Sequence, residues 1–403
     1  MTNDLDILIR HAKTRHRQEL VDVAIQGGKI AEIGPGNRRA AGVEIDAGAG
    51  LVTESFVNPH LHLDKVYTLN RLDEQALRDY HGQDMGKAMT AIELAARVKA
   101  EYKEDWIVDN ARRAVRLAAR YGTTHMRAFT DVDSQAQLVG IKALLQVREE
   151  WRGRVEIQVV AFPQDGVIRE PGAEDLVRQA LEMGADVVGG IPWIEYTDAD
   201  SQAHVDAMFD LAVAYDKDVS MLVDDAGDPG LRTLEMMAVR AIRSGWKGRC
   251  LAHHARAMAM YPAPYVQKIA GLLKQAGMGL VTDPHTGPLH ARVAELLDQD
   301  VIVCLGQDDI SDAYYPFGRN NLLEVAFLAS HLLWMTTRVD MDRLYDMITT
   351  QAAKAIGLSD FGLAVGAPAN LVVLEAPDVL ETLRDHAAPR YVISQGRLLE
   401  PEG

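Results

Sequence analysis

What most constrains the fold of this chain is a series of short apolar runs, each ending in a polar or ionisable residue and separated by stretches of helical character. Strand-like segments that alternate with helix-like ones predict parallel strands joined by crossover helices. The runs end near His62, near Asp131 (after 124–130), near Phe162 (after 155–161) and near Pro192 (after 185–191). Four more end near Asp225 (after 218–224), His254 (after 249–253), Pro284 (after 278–283) and Asp309 (after 301–307). Helical patterns cover 91–98, 106–119, 173–183 and 264–275 between them. Eight such units predict an α/β chain folded as a (β/α)8, TIM-like barrel, whose chemistry sits at the carboxyl ends of the strands. His60, His62, Asp131, Gln164, Asp224, Asp225, His253, His254, Asp283, His285, Asp308 and Asp309 all fall there.

The two ends of the chain read differently. Residues 5–9 and 21–25 alternate, and Gly27-Gly28 turns the chain into 29–33, a hairpin signal. Residues 370–374 and 391–399 are strand-like as well. The expected organisation is a small β-sandwich domain built from 1–55 with 363–403, around a barrel of 56–362.

The first barrel run closes on Phe56-Val57-Asn58-Pro59-His60-Leu61-His62-Leu63-Asp64-Lys65. Side chains alternate faces along a strand, so His60 and His62 point the same way. Two imidazoles on one face of a buried strand end can grip one cation. A lone His-x-His is equally read as two hydrogen-bonded histidines, and the recurrence of ionisable strand ends favours the cation. Asp131 and Arg127, on the second run, are expected to form a structural ion pair.

Composition removes several alternatives. Asp and Glu number 58 against 42 Lys and Arg, a formal net charge of −16, which argues against nucleic acid or an anionic membrane as a partner. The 2 cysteines, Cys250 and Cys304, provide neither a disulfide framework nor a thiolate zinc site. No run of about 18 apolar residues occurs, and the start lacks a basic and apolar leader, so a cytoplasmic location is expected. Neither a Gly-x-Ser-x-Gly elbow nor a Pro-Cys-x-x-Cys signature is present.

Taken together, His60-x-His62 on the first strand, His254 after the sixth, Asp308 after the eighth and the flanking β segments resemble the amidohydrolase superfamily. Within it the likeness is to the cytosine deaminase and N-isopropylammelide amidohydrolase group, and it covers nearly the whole chain. Val159-Val160-Ala161-Phe162-Pro163-Gln164-Asp165-Gly166, Gly184-Ala185-Asp186-Val187-Val188-Gly189, Asp308-Asp309 with Tyr315-Pro316-Phe317-Gly318, and 362–374 carry it.

The resemblance implies a metal-dependent deaminase acting on a cyclic amidine of a cytosine-like or triazine-like ring. Its cofactor is one divalent ion, zinc or iron, with His60, His62 and Asp308 as ligands. Asp308 would accept a proton from the attacking water, Asp225 would protonate a ring nitrogen, and His254 would carry the proton to the leaving amine. Gln164, Asp309, Tyr314 and Lys65 are the implied substrate contacts, Lys65 being equally placed for a salt bridge. The partner is thus a small heterocycle, and a homo-oligomer is compatible with the chain.

The sequence departs from the group at three points where histidine is usual: Leu222 on the fifth strand, Phe129 on the second and Gln307 before Asp308. Leucine cannot bind a metal. Several substitutes remain open: entry of His254 into the ligand set, a nitrogen from His253 or His285, a three-ligand site completed by water, or a weak or missing ion. No lysine on the third or fourth strand is available to bridge two ions. The rival functions are a cyclic-amide or N-acyl amidohydrolase with a rebuilt centre, and a non-catalytic barrel that binds a heterocycle.

Overall fold

The computed structural model describes residues 5–71 and 97–399. The chain opens with β1 (Leu5–Ala12), β2 (Val21–Gln26), β3 (Lys29–Gly34) and β4 (Ala41–Asp46), which form one sheet in the order β3-β2-β1-β4. Gly27 and Gly28 turn the β2–β3 hairpin at φ +59° and +78°, angles that side chains disfavour. β5 (Val52–Glu54) leaves this sheet and pairs with a segment from the far end of the chain.

The barrel strands follow: β6 (Phe56–His62), β7 (Thr123–Asp131), β8 (Glu156–Phe162), β9 (Val187–Gly190), β10 (Asp218–Val223), β11 (Cys250–His254), β12 (Gly279–Thr282) and β13 (Val303–Leu305). They pair in parallel and in sequence order. A parallel bridge between Leu61 and Asp308 joins the last strand to the first. Each strand falls within one of the expected apolar runs. All nine residues of β7 are buried, because the inner face meets the barrel core and the outer face meets helices.

The crossover helices show why the pattern was readable. In Glu104–Arg120 the buried residues are Ile107, Val108, Ala111, Ala114, Val115 and Ala118, a stripe at helical spacing that lies on the strands. Ala173–Met183 ends at Gly184, whose φ of +111° lets its N–H and that of Ala185 reach back to Leu181 O and Ala180 O. Both agree with the expected helices over 106–119 and 173–183, and Ala263–Ala276 agrees with 264–275. Of the expected helix over 91–98, residues 91–96 lie outside the described residues.

β14 (Leu371–Val373), β15 (Tyr391–Ser394) and β16 (Arg397–Leu399) complete a second small sheet in the order β16-β15-β14-β5. Ile7, Ile9, Val23 and Ile25 of the first sheet share one core with Val52, Leu371, Val373 and Ile393 of the second, the facing arrangement of a sandwich. The α/β barrel with a β-sandwich built from both termini is the expected fold. No helix among the described residues is long and apolar enough to cross a membrane.

Candidate active site

The site lies where the barrel closes. His62 N donates to Asp308 O and Asp308 N donates to His60 O, each at 2.9 Å, so first and last strands are stitched at the residues singled out from sequence. Asp308 adopts φ +65°, turning its carboxylate over the barrel mouth. Its Oδ1 lies 3.0 Å from His60 Nε2, 3.8 Å from His254 Nε2 and 4.0 Å from His62 Nε2. Its Oδ2 accepts from Thr286 Oγ1 at 2.7 Å and lies 3.5 Å from Arg256 Nη2. All four members of this group are buried.

Electrostatics follow from that packing. Burial opposes charge on Asp308, yet His254 and the hydrogen bond from His60 hold its carboxyl well below the usual range. Burial, aided by Lys65 and His60, pushes His62 well below an ordinary imidazole, leaving it neutral with a lone pair to offer. At His254 burial is outweighed by Asp225, Asp308 and Asp283, and the value rises to about 9.

A cation fits this donor set. Ligand atoms of His60, His254, Asp283 and Asp308 lie within 4.8 Å of one another, and those of His62, Asp308 and Asp309 form an overlapping group. Among the described residues, His60 Nδ1 and His62 Nδ1 are buried with no hydrogen-bond partner. Imidazoles and carboxylates, two of each in the first group and one imidazole with two carboxylates in the second, are donors that zinc and iron accept.

Strand β10 contributes differently. Leu222 packs against Phe129, Val160, Phe162, Val187, Ile191 and Ile194, an apolar wall of the barrel interior that Trp193 also joins. Asp224 is directed at the helix Thr233–Ser244, accepting from Thr233 N and Oγ1 at 2.7 Å and from Tyr261 OH at 2.6 Å. Asp225 does reach the site: its Oδ1 is 3.1 Å from Arg256 Nε and its Oδ2 is 4.0 Å from His254 Nε2. His253 pairs in register with Leu222 and its ring lies 4.5 Å from that of His60, without joining either ligand group. His285 Nε2 lies 3.2 Å from Gln307 O.

The implied substrate contacts gather on the other side of His62. Lys65 Nζ donates to Gln164 Oε1 at 2.9 Å and pairs with Asp131 Oδ1 at 2.9 Å. Its ammonium also lies 5.5 Å above the Tyr314 ring, which is nearly parallel to His62 at 6.4 Å. Burial together with Asp308 and Asp312 keeps the Asp309 carboxyl well above the usual range. The expected Arg127–Asp131 pair is not formed. Arg127 instead meets Gln158 Oε1 at 2.8 Å, Ser220 Oγ at 2.9 Å and Asp218 Oδ2 at 3.5 Å. Residues four apart on a strand are separated by roughly 13 Å, so the two occupy different layers of the barrel.

Several participants had no signal in the sequence. Lys99 Nζ sits between Asp133 and Asp165, each at 2.8 Å, with Asp131 at 3.7 Å. Asp64 Oδ2 accepts from Asp131 N at 2.8 Å and from Tyr102 OH at 2.9 Å, and burial with Asp131 nearby raises its carboxyl to about 7. Arg256 and Thr286 were not anticipated either. Asp283 was visible as a strand-end acid but had no assignable partner.

The Amidohydrolase family matches residues 43–399. The chain belongs to that family. It is 30% identical over 402 residues to an N-isopropylammelide isopropyl amidohydrolase of Pseudomonas sp. (strain ADP), spanning 99% of this chain and 98% of the relative. A pterin deaminase of Rhizobium rhizogenes is 26% identical, over 94% of this chain and 87% of its own length. Among solved structures, 5-methylcytosine deaminase from Klebsiella pneumoniae liganded with 5-fluorocytosine superposes with a TM-score of 0.89 at 31% identity, covering 98% and 97% of the two chains. The likeness expected from sequence is borne out, as is its reaction class, hydrolysis of a carbon–nitrogen bond.

Proposed function

We propose that this protein is a metal-dependent aminohydrolase that replaces an exocyclic amino or alkylamino group on a cyclic amidine carbon with oxygen, on a cytosine-like or triazine-like ring. The observation that carries this is the convergence of His60, His62 and His254 Nε2 on one oxygen of Asp308. The relatives support the ring class: they are named for action on ammelide, pterin and 5-methylcytosine. His60, His62, His254 and Asp308 would hold one zinc or ferrous ion, and the chemistry it supplies when bound is hydroxide near neutral pH.

The chain's own groups account for the proton traffic. Asp308 accepts the proton of the attacking water, its carboxylate kept ionised by the imidazoles around it. Asp225 passes a proton to a ring nitrogen, which makes the amidine carbon electrophilic. His254 Nε2 stands between these two carboxylates, 3.8 Å from Asp308 Oδ1 and 4.0 Å from Asp225 Oδ2, as one of the groups that would hold the ion. Because Lys65 occupies Gln164 Oε1, the Gln164 amide presents its N–H donors to a ring carbonyl. Asp309 meets the ring edge with its carboxyl, and Tyr314 covers the planar face.

The test pairs metal analysis with a panel of cytosines, pterins and N-alkyl triazines assayed for release of ammonia or alkylamine. One ion per chain and amine release from at least one ring are expected. A metal-free protein that binds a heterocycle without turnover would make the barrel a binding module, and turnover confined to cyclic amides would make it an amidase.

A further inference from the structure

Strand β11 carries a histidine whose ring is set from behind by a buried carboxylate. His254 has φ +67°, and Ala255, at φ +48°, donates its N–H to Val223 O at 3.1 Å, which fixes the turn. Such angles cost a side-chain-bearing residue energy and persist where the surroundings impose them. Asp283 follows β12. Its Oδ1 accepts from Gly306 N at 2.9 Å, and its Oδ2, 3.3 Å from His254 Nδ1 as an ion pair, makes no hydrogen bond among the described residues. A Cβ on Gly306 would stand 2.7 Å from Asp283 Oδ1 and 2.7 Å from His60 Cβ, so only glycine lets the carboxylate sit this close to the imidazoles.

One contact competes. Arg256 Nη2 lies 3.5 Å from the same Nδ1, and as a donor it would need a lone pair there. Arg256 Nη2 donates instead to Thr286 Oγ1 at 2.7 Å. The carboxylate is both nearer and charged, so Nδ1 keeps its proton and Nε2, which faces Asp308, is the nitrogen that would give up its proton to an ion.

We propose that Asp283 is a positioning residue that turns His254 into a metal ligand, so that the ion draws a donor from strand six where strand five offers none. On strand five Leu222 lies in the apolar wall and Asp224 is spent on Thr233 and Tyr261, while Asp225 beyond it pairs with Arg256 at 3.1 Å and joins neither ligand group. A carboxylate behind a ligating imidazole fixes its tautomer and raises its basicity. With Nε2 of His254 engaged it carries no proton, so the proton that Asp308 takes from water is the one that passes to the leaving amine, while Asp225 serves the ring nitrogen. The inference rests on the metal-dependent reading proposed above.

The experiment is a competitive chelator titration of Zn²⁺ on the full chain and on Asp283→Asn, with the absorption spectrum of the Co²⁺-loaded protein as a second readout. Loss of the carboxylate is expected to weaken Zn²⁺ about 10–100-fold and to alter the Co²⁺ bands, with Asp283→Glu recovering part of the affinity. Unchanged affinity and spectrum in Asp283→Asn would overturn the role of Asp283 while leaving a metal-dependent enzyme. A wild-type chain that takes up no Zn²⁺ or Co²⁺ would overturn both. Should the variants not fold, X-ray absorption on the Zn²⁺-loaded wild type decides: three imidazoles are required, and two would refute the assignment.

Discussion

Lys99→Met tests the most concentrated charge cluster in the barrel. The ammonium is fully buried and held by Asp133 and Asp165 at 2.8 Å, with Asp131 at 3.7 Å. At an effective dielectric near 20, each short contact is worth about 6 kcal/mol before desolvation is counted. Taking four charged groups out of water cancels most of that. Removing one partner from a buried pair nevertheless costs about 3–5 kcal/mol, because the remaining charges stay buried without compensation. Methionine fills nearly the same volume, so the loss reports charge rather than a cavity. The carboxylates left behind take up protons more readily in the native state than in the unfolded chain. The deficit relative to wild type therefore shrinks as pH falls. Asp64 and Asp131, already raised by burial in the wild type, show the direction. Equilibrium urea unfolding at about pH 8 and about pH 5.5 measures it. A loss under about 1 kcal/mol at the higher pH, or one that grows on acidification, would refute the reasoning.

Other outcomes can be stated as directly. His62→Ala should abolish both stoichiometric metal and amine release, and retained activity would remove the strand-one histidines from the mechanism. Leu222→His gives up about 2 kcal/mol of apolar burial but adds a donor opposite His253 in register; tighter Zn²⁺ binding is expected, and unchanged affinity would show that the ion is already closed by strands one, six and eight. His125 is held at about 4 by burial, so the unfolded chain binds its proton first and its contribution makes stability fall as pH drops from about 6.5 through about 4. His125→Gln should remove part of that acid limb, on the order of 2 kcal/mol by pH 4, readable in urea midpoints across the window.

The barrel was legible because its signal is local. A strand buried on both faces, such as β7, must be apolar along its length, and a covering helix such as Glu104–Arg120 must be striped. His60, His62 and Asp308 were legible for a related reason: strand alternation and strand-end position fix where such side chains go. The Asp283–His254 contact was not, since it depends on how far two adjacent strands project beyond the sheet. Nor was the partner of Asp131. Lys65 and Lys99 reach it from segments far away in sequence, and the alternation of its own strand gives no hint of which cation will arrive. Leu222 was correctly read as unable to bind an ion, but only the packed wall around it shows that strand five has been given over to the core.

The bridge between Leu61 and Asp308 has a bearing on when activity can arise. The donors proposed for the cation include two from opposite ends of the barrel's chain, His60 and Asp308, 248 residues apart, and the same backbone hydrogen bonds that shut the cylinder bring them together. A ribosome-bound chain still lacking its eighth strand holds the three proposed histidines without the carboxylate of Asp308. Competence to capture the ion is thereby tied to completion of the fold, and a truncated or misclosed product is left without the means to act on any ring.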